Sequence, residues 1–128
     1  METLITNDIR VSVDSSYSPD YSNPTASKYI FVYRIEIENL GDETVQLLKR
    51  HWSIFDAGAG QRAVDGEGVI GQQPVLSPGE KHQYTSWCPL ASSVGFMTGY
   101  YLFKSTMRAD TFQVNIPKFN LIAPQILN

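Results

Sequence analysis

Apolar and polar residues alternate one by one along most of this chain. Ile9, Val11 and Val13 alternate with Arg10, Ser12 and Asp14, and Tyr29, Phe31, Tyr33, Ile35 and Ile37 alternate with a set that includes Arg34, Glu36 and Glu38. A period of two buries one face of an extended strand and wets the other. The second run is the stronger and predicts a central strand. Asn39 to Glu43 supplies turn residues, and Thr44 to Asp56 is expected to return as its antiparallel hairpin partner. The alternation slips at Leu47-Leu48, the mark of a bulge or of a strand that changes sheets. Trp52, in the middle of that segment, is placed as a core plug between two sheets.

The same pattern continues through His82, Tyr84 and Ser86, through Phe96 to Phe103, and through Phe112, Val114 and Ile116. Ser15 to Ser27 is read as a long loop in which Tyr17 and Tyr21 roof the core edge. Beyond Ile116, Pro117 and Pro124 rule out a helix, and no 3.6-residue periodicity of useful length occurs anywhere. Some seven or eight short strands about ten residues apart predict an all-β fold. The expected form is one antiparallel β-sandwich of the immunoglobulin or fibronectin type III kind over residues 1–128, with an eight-stranded barrel as the alternative.

The densest run of special-backbone residues is Val64 to Glu80, with Gly66, Gly68, Gly71, Pro74, Pro78 and Gly79. Such composition indicates a shaped loop. With 128 residues and 42% hydrophobic content the chain fits a single domain, and a net charge of −3 argues against general nucleic-acid binding by the whole surface. No secretory h-region or membrane-spanning stretch is present, and the one cysteine, Cys88, has no partner within the chain for a disulfide. These features read as a soluble, cytoplasmic protein with no membrane contact.

The ordered series Asn39-Leu40-Gly41, Val45 to Leu48, Arg50-His51-Trp52, Gly66 to Pro74, Ser77-Pro78-Gly79, Tyr84-Thr85-Ser86, Cys88-Pro89-Leu90 and Ile116 to Phe119 resembles the ApaG (CorD) family. The likeness runs from about Tyr17 to Pro124. It departs from the usual pattern at Trp87, where a small residue is common, and at Met107 to Asp110, where a glycine turn is common. The resemblance implies a fibronectin type III-like sandwich. It also implies a link to cobalt resistance and magnesium efflux, and similarity to domains fused to F-box proteins and to a polymerase-delta-interacting protein. It implies no defined reaction.

Gly66, Gly68 and Gly71 form a G-x-G-x-x-G string, which in a dinucleotide fold opens a helix. Pro74 and Pro78 forbid that helix here. A loop whose backbone N–H groups cradle a pyrophosphate- or nucleotide-like anion remains an alternative, with Arg50, His51, Arg62 or Lys81 adding positive charge and Asp65 and Glu67 opposing it. Asp65, Glu67 and Glu80 are hard oxygen ligands without a calcium-loop pattern, and His51, His82 and Cys88 have no zinc spacing. His82, Ser86 and Cys88 share one face of a strand without forming a triad. No catalytic residues, metal site or cofactor are assigned. The expected function is a non-catalytic module that recognises a protein partner, with Arg50, His51, Gly66, Glu67, Gly68, Gly71 and Gln73 as the candidate surface and Tyr17, Tyr21, Tyr100 or Tyr101 as anchors. A weak homo-oligomer is a further expectation.

Overall fold

A computed structural model describes residues 1–124. Nine strands occur among them: β1 (Glu2–Thr6), β2 (Ile9–Tyr17), β3 (Tyr29–Asn39), β4 (Val45–Asp56), β5 (Gly60–Glu67), β6 (Val75–Leu76), β7 (Lys81–Leu90), β8 (Val94–Ser105) and β9 (Thr111–Ile122). Two antiparallel sheets result, one in the order β1-β2-β3-β7 and the other β5-β4-β8-β9 with β6 also on β4. Setting β1 and β6 aside, three strands face four in the arrangement of a fibronectin type III sandwich. No helix among the described residues is long and apolar enough to cross a membrane.

The alternation places Val11, Val13, Phe31, Ile35 and Ile37 of the first sheet against Leu47, Trp52, Tyr101, Phe103 and Val114 of the second, all buried. Trp52 is a plug between the sheets, edge-on to Tyr33 at 5.5 Å and to Phe119 at 5.9 Å. The expected β3–β4 hairpin does not form. β3 pairs with β2 and β7, whereas β4 pairs with β5, β6 and β8, so Leu40 to Thr44 crosses from one sheet to the other. The reason is that both strands bury their apolar sets on facing layers; a turn signal alone does not distinguish a hairpin from such a crossover.

The irregularity at Leu47-Leu48 is a bulge, since the β4–β8 register shifts between Leu47 and Lys49. Pro117 lies within β9 instead of ending it. The β8–β9 register shifts there, with Met97 opposite Phe119 and Gly99 opposite Ile116, and a bulge is where a strand accommodates a residue without an N–H. Tyr17 ends β2 and packs edge-on to Phe31 at 5.5 Å, as a roof. Tyr21 does not: it sits on a 3-10 turn, Pro19–Tyr21, is exposed, and meets Trp87 edge-on at 5.1 Å. Trp87 points outward, away from the buried Cys88 beside it.

Candidate functional site

The β4 bulge decides what the glycine-rich segment does. Val64 to Glu67 is not loop but the end of β5, and Val75–Leu76 is β6; the irregular part is confined to residues 68–74, where the edge of the sheet detours past the bulge. The Leu48 carbonyl, freed by the bulge, accepts from the Gly68 N–H at 2.8 Å and the Gln73 Nε2 at 3.0 Å. Leu47 N–H donates to Pro74 O at 3.0 Å, and Gln46 Nε2 to Gln73 O at 3.1 Å. At the tip, Val69 and Gln72 exchange both backbone bonds, at 2.8 and 3.0 Å, while Ile70 (φ 48°) and Gly71 (φ 72°) between them take the two positive φ values of a type I′ turn. Gly68 is obligatory. Its φ is +62°, and a Cβ there would lie 2.1 Å from Gln72 O.

Arg50 stands opposite Gly66 across the β4–β5 ladder and opposite the fully buried Tyr101 across the β4–β8 ladder. Opposite residues share a face, so Arg50 points toward the interior at the sheet's edge. Its guanidinium passes over Gly66, where a Cβ would sit 2.6 Å from Cζ, and Nη1 donates to Glu67 O at 3.1 Å and Gly68 O at 3.0 Å. Arg50 therefore braces the loop from inside through its carbonyls.

His51, one residue on, faces the opposite way. Its Nδ1 is 2.6 Å from Asp65 Oδ1 and its ring stacks on Tyr100 at 4.9 Å with an interplanar angle of 27°. Lys49, Glu67 and Gln113 complete the rim of a groove of about 460 Å3. Farther along the same outer face, Ser53 lies opposite Ala63 and Thr98, and then Phe55 stacks on Phe96 at 5.1 Å with Lys118 Nζ 4.2 Å from the Phe96 centroid. His51 and Phe55 are four strand residues apart, roughly 13 Å. The outer face of the second sheet thus carries two aromatic stacks separated by a floor of small side chains, with charges of both signs around them.

The nucleophile-like residues lie elsewhere. Cys88 is buried, and burial pushes its thiol up to about 11, although the nearby Arg62 opposes the shift. Arg62 reaches across from β5, with Nη2 2.6 Å from Pro89 O and 3.7 Å from Cys88 Sγ. Burial lowers the His82 pKa and raises those of Tyr84 and Tyr101, whose hydroxyls are 2.5 Å apart. Among the described residues no three His, Cys, Asp or Glu side chains are grouped closely enough to hold a metal ion.

The seven residues singled out from sequence therefore separate. Arg50, Gly66, Gly68 and Gln73 form the brace, Gly71 the loop tip, and His51 and Glu67 the outer groove, which Arg50 and Gly66 also border. Of the four tyrosines named as anchors, Tyr101 is wholly buried, Tyr17 roofs the core and Tyr21 is exposed on a 3-10 turn against Trp87 of the other sheet; Tyr100 belongs to the groove. The Phe55, Phe96 and Lys118 stack was missed. Half of its signal was present: with Trp52 fixed inward, alternation sends His51, Ser53 and Phe55 outward, whereas the meeting of Phe55 with Phe96 follows only from the β4–β8 register.

A family model described as ApaG domain matches residues 19–105. The chain belongs to the ApaG family. It is 44% identical over 124 residues to Protein ApaG of Bradyrhizobium diazoefficiens, covering 97% of this chain and 95% of that one. It is 44% identical over 131 residues to Protein ApaG of Beijerinckia indica, with both chains covered in full. Among solved structures, a crystal structure of the ApaA protein from Bordetella pertussis superposes with a TM-score of 0.87 at 40% identity, over 93% of this chain and 96% of that one. The ApaG likeness spans both the brace around Arg50 and the outer groove.

Proposed function

We propose that this ApaG chain is a non-catalytic recognition module that presents the outer face of the β5-β4-β8-β9 sheet to a protein partner. The observation that carries the reading is the pair of outward stacks, His51 on Tyr100 and Phe55 on Phe96, on one strand-built face. Aromatic rings on rigid strands offer contact area at low entropic cost, which is how interface anchors work. Lys49, Asp65, Glu67 and Lys118 around them supply a mixed-charge rim suited to a polypeptide rather than to a small ion of one sign.

The competing reading, a pyrophosphate- or nucleotide-like anion held by the Gly66–Gly71 loop, has less support. The N–H groups of Gly68, Val69 and Gln72 already donate within the protein, and the Arg50 guanidinium is directed at loop carbonyls. The two readings separate by thermal unfolding with pyrophosphate, nucleotides and dinucleoside polyphosphates. An anion at a hundred times its Kd adds about 2.7 kcal/mol of stability, several degrees in Tm for a domain of this size. The expected panel is flat. A shift that saturates with one anion and vanishes in Arg50→Ala would overturn the proposal in favour of the anion site.

A further inference from the structure

A sandwich has four sheet edges, and three of these are guarded. β5 carries Arg62, Asp65 and Glu67 and is interrupted by the 68–74 detour. β7 has Lys81 and Pro89, with the Pro89 carbonyl engaged by Arg62. β9 contains Pro117 and is covered by side chains from the first sheet: Asn7 Nδ2 donates to Gln113 O at 2.9 Å, Asn115 N–H to Thr6 Oγ1 at 3.3 Å, and Ser15 Oγ to Asn120 O at 3.3 Å. Such features keep strand edges from pairing with other chains.

β1 lies beside β9 and is tied to it by the Thr6 hydroxyl at its end, but its own backbone edge carries no such guard. Its five residues pair with β2 in unbroken register, from Glu2 opposite Val13 to Thr6 opposite Ile9, and make no backbone hydrogen bond to any other described segment. It lacks proline, lysine and bulge, its one charge is Glu2 at the end, and Leu4 (39%) and Ile5 (55%) are exposed. We infer that β1 is a pairing edge for a second copy of this chain, the two β1 strands running antiparallel so that two four-stranded sheets join into one of eight.

The pleat restricts the register. Leu4 lies opposite Val11 and so shares the inner face, and a continuous sheet keeps inner residues opposite inner residues. Centring the two-fold on Leu4 satisfies this and uses the whole strand: Leu4 meets its own copy, Glu2 meets Thr6, and Thr3 meets Ile5. No like charges are set opposite one another, and both exposed apolar residues are covered. The seam is short and falls in the class of interfaces below about 1,200 Å2, so the dimer is weak, with a Kd between about 10 μM and 1 mM. It lies on the first sheet and leaves the outer face of the second open, so it stands apart from the recognition reading.

Sedimentation equilibrium from about 10 μM to 1 mM tests it. The mass of the wild-type chain should rise from one chain toward two. Leu4→Lys and Leu4→Glu, each of which sets like charges across the two-fold, should both stay monomeric, and their equimolar mixture should dimerise again. Ile5→Lys, at an exposed position, puts two lysines diagonally across the seam and should also weaken the dimer. Unchanged thermal midpoints for that variant would show the fold intact. A wild-type chain that remains monomeric throughout, dimers that persist in Leu4→Lys and Ile5→Lys, or a mixture that fails to re-associate would overturn the proposal, the first outcome leaving the edge to a strand of a different protein.

Discussion

Ile70 is the residue whose local conformation agrees least with its identity. A β-branched side chain at φ 48° is disfavoured, yet this one is also exposed at the tip of a two-residue turn. Asparagine tolerates that region, and Asn-Gly is the preferred type I′ pair. Ile70→Asn is therefore expected to stabilise the domain by about 1 kcal/mol, a Tm gain of roughly 3 °C by calorimetry; an unchanged or lower Tm would show that the turn carries no strain. At this scale the sequence was partly legible. Gly68 is the backbone-determined position that the glycine-rich composition signalled, since its φ is +62° and a Cβ there would meet the Gln72 carbonyl. With Trp52 set inward, alternation already puts Arg50 inward and His51 outward; what stayed hidden was which groups an inward Arg50 meets, because that depends on the β4–β5 pairing and the path of residues 68–74.

At the level of elements, one carboxylate joins the turns of the two sheets. Asp56 closes β4 and is 1% exposed; it accepts from Gly58 N–H at 3.0 Å, from Ala91 N–H at 2.6 Å and from Ser92 Oγ at 2.8 Å, with Arg62 Nη1 4.0 Å away. Burial pushes its pKa up, but the bonds from Ala91, Gly58 and Ser92 together with Arg62 outweigh burial and hold it below the ordinary value of 3.8. A depressed folded-state pKa contributes stability that is complete above the unfolded value and is lost as pH falls through the folded one. Unfolding of the wild-type chain should thus become easier below about pH 4, and Asp56→Asn should flatten that part of the profile. Asp56→Ala, which strands two backbone N–H groups, should cost about 3 kcal/mol by denaturant titration at neutral pH; a loss under about 1 kcal/mol would show the turns to be held otherwise. The strands themselves were readable from alternation. Their sheet membership was not, because β3 and β4 carry the same periodicity whether they pair side by side or face each other across the core.

For the whole molecule, the sandwich divides its labour by face and by edge. The inner faces bury the core, Arg62 bridges the side where β5 meets β7 while Arg50 braces the 68–74 loop, and the outer face of the second sheet displays aromatic rings that contribute little to that core. The family resemblance reached this architecture through ordered motifs, while the outer stacks emerged only from the β4–β8 pairing. The central claim is that this outer face meets a protein. Site-specific photocrosslinking within cells tests it most directly, with the crosslinkable residue at Ser53, on the floor between the two stacks, and at Thr85 on the outer face of the other sheet as the comparison. A discrete adduct with another protein should form from position 53, fall at least several-fold when Phe55→Ala or His51→Ala is added, and be absent from position 85, since truncating an interface anchor costs on the order of 2 kcal/mol. Equal labelling from the two positions, or an adduct from position 53 that neither substitution diminishes, would contradict the account.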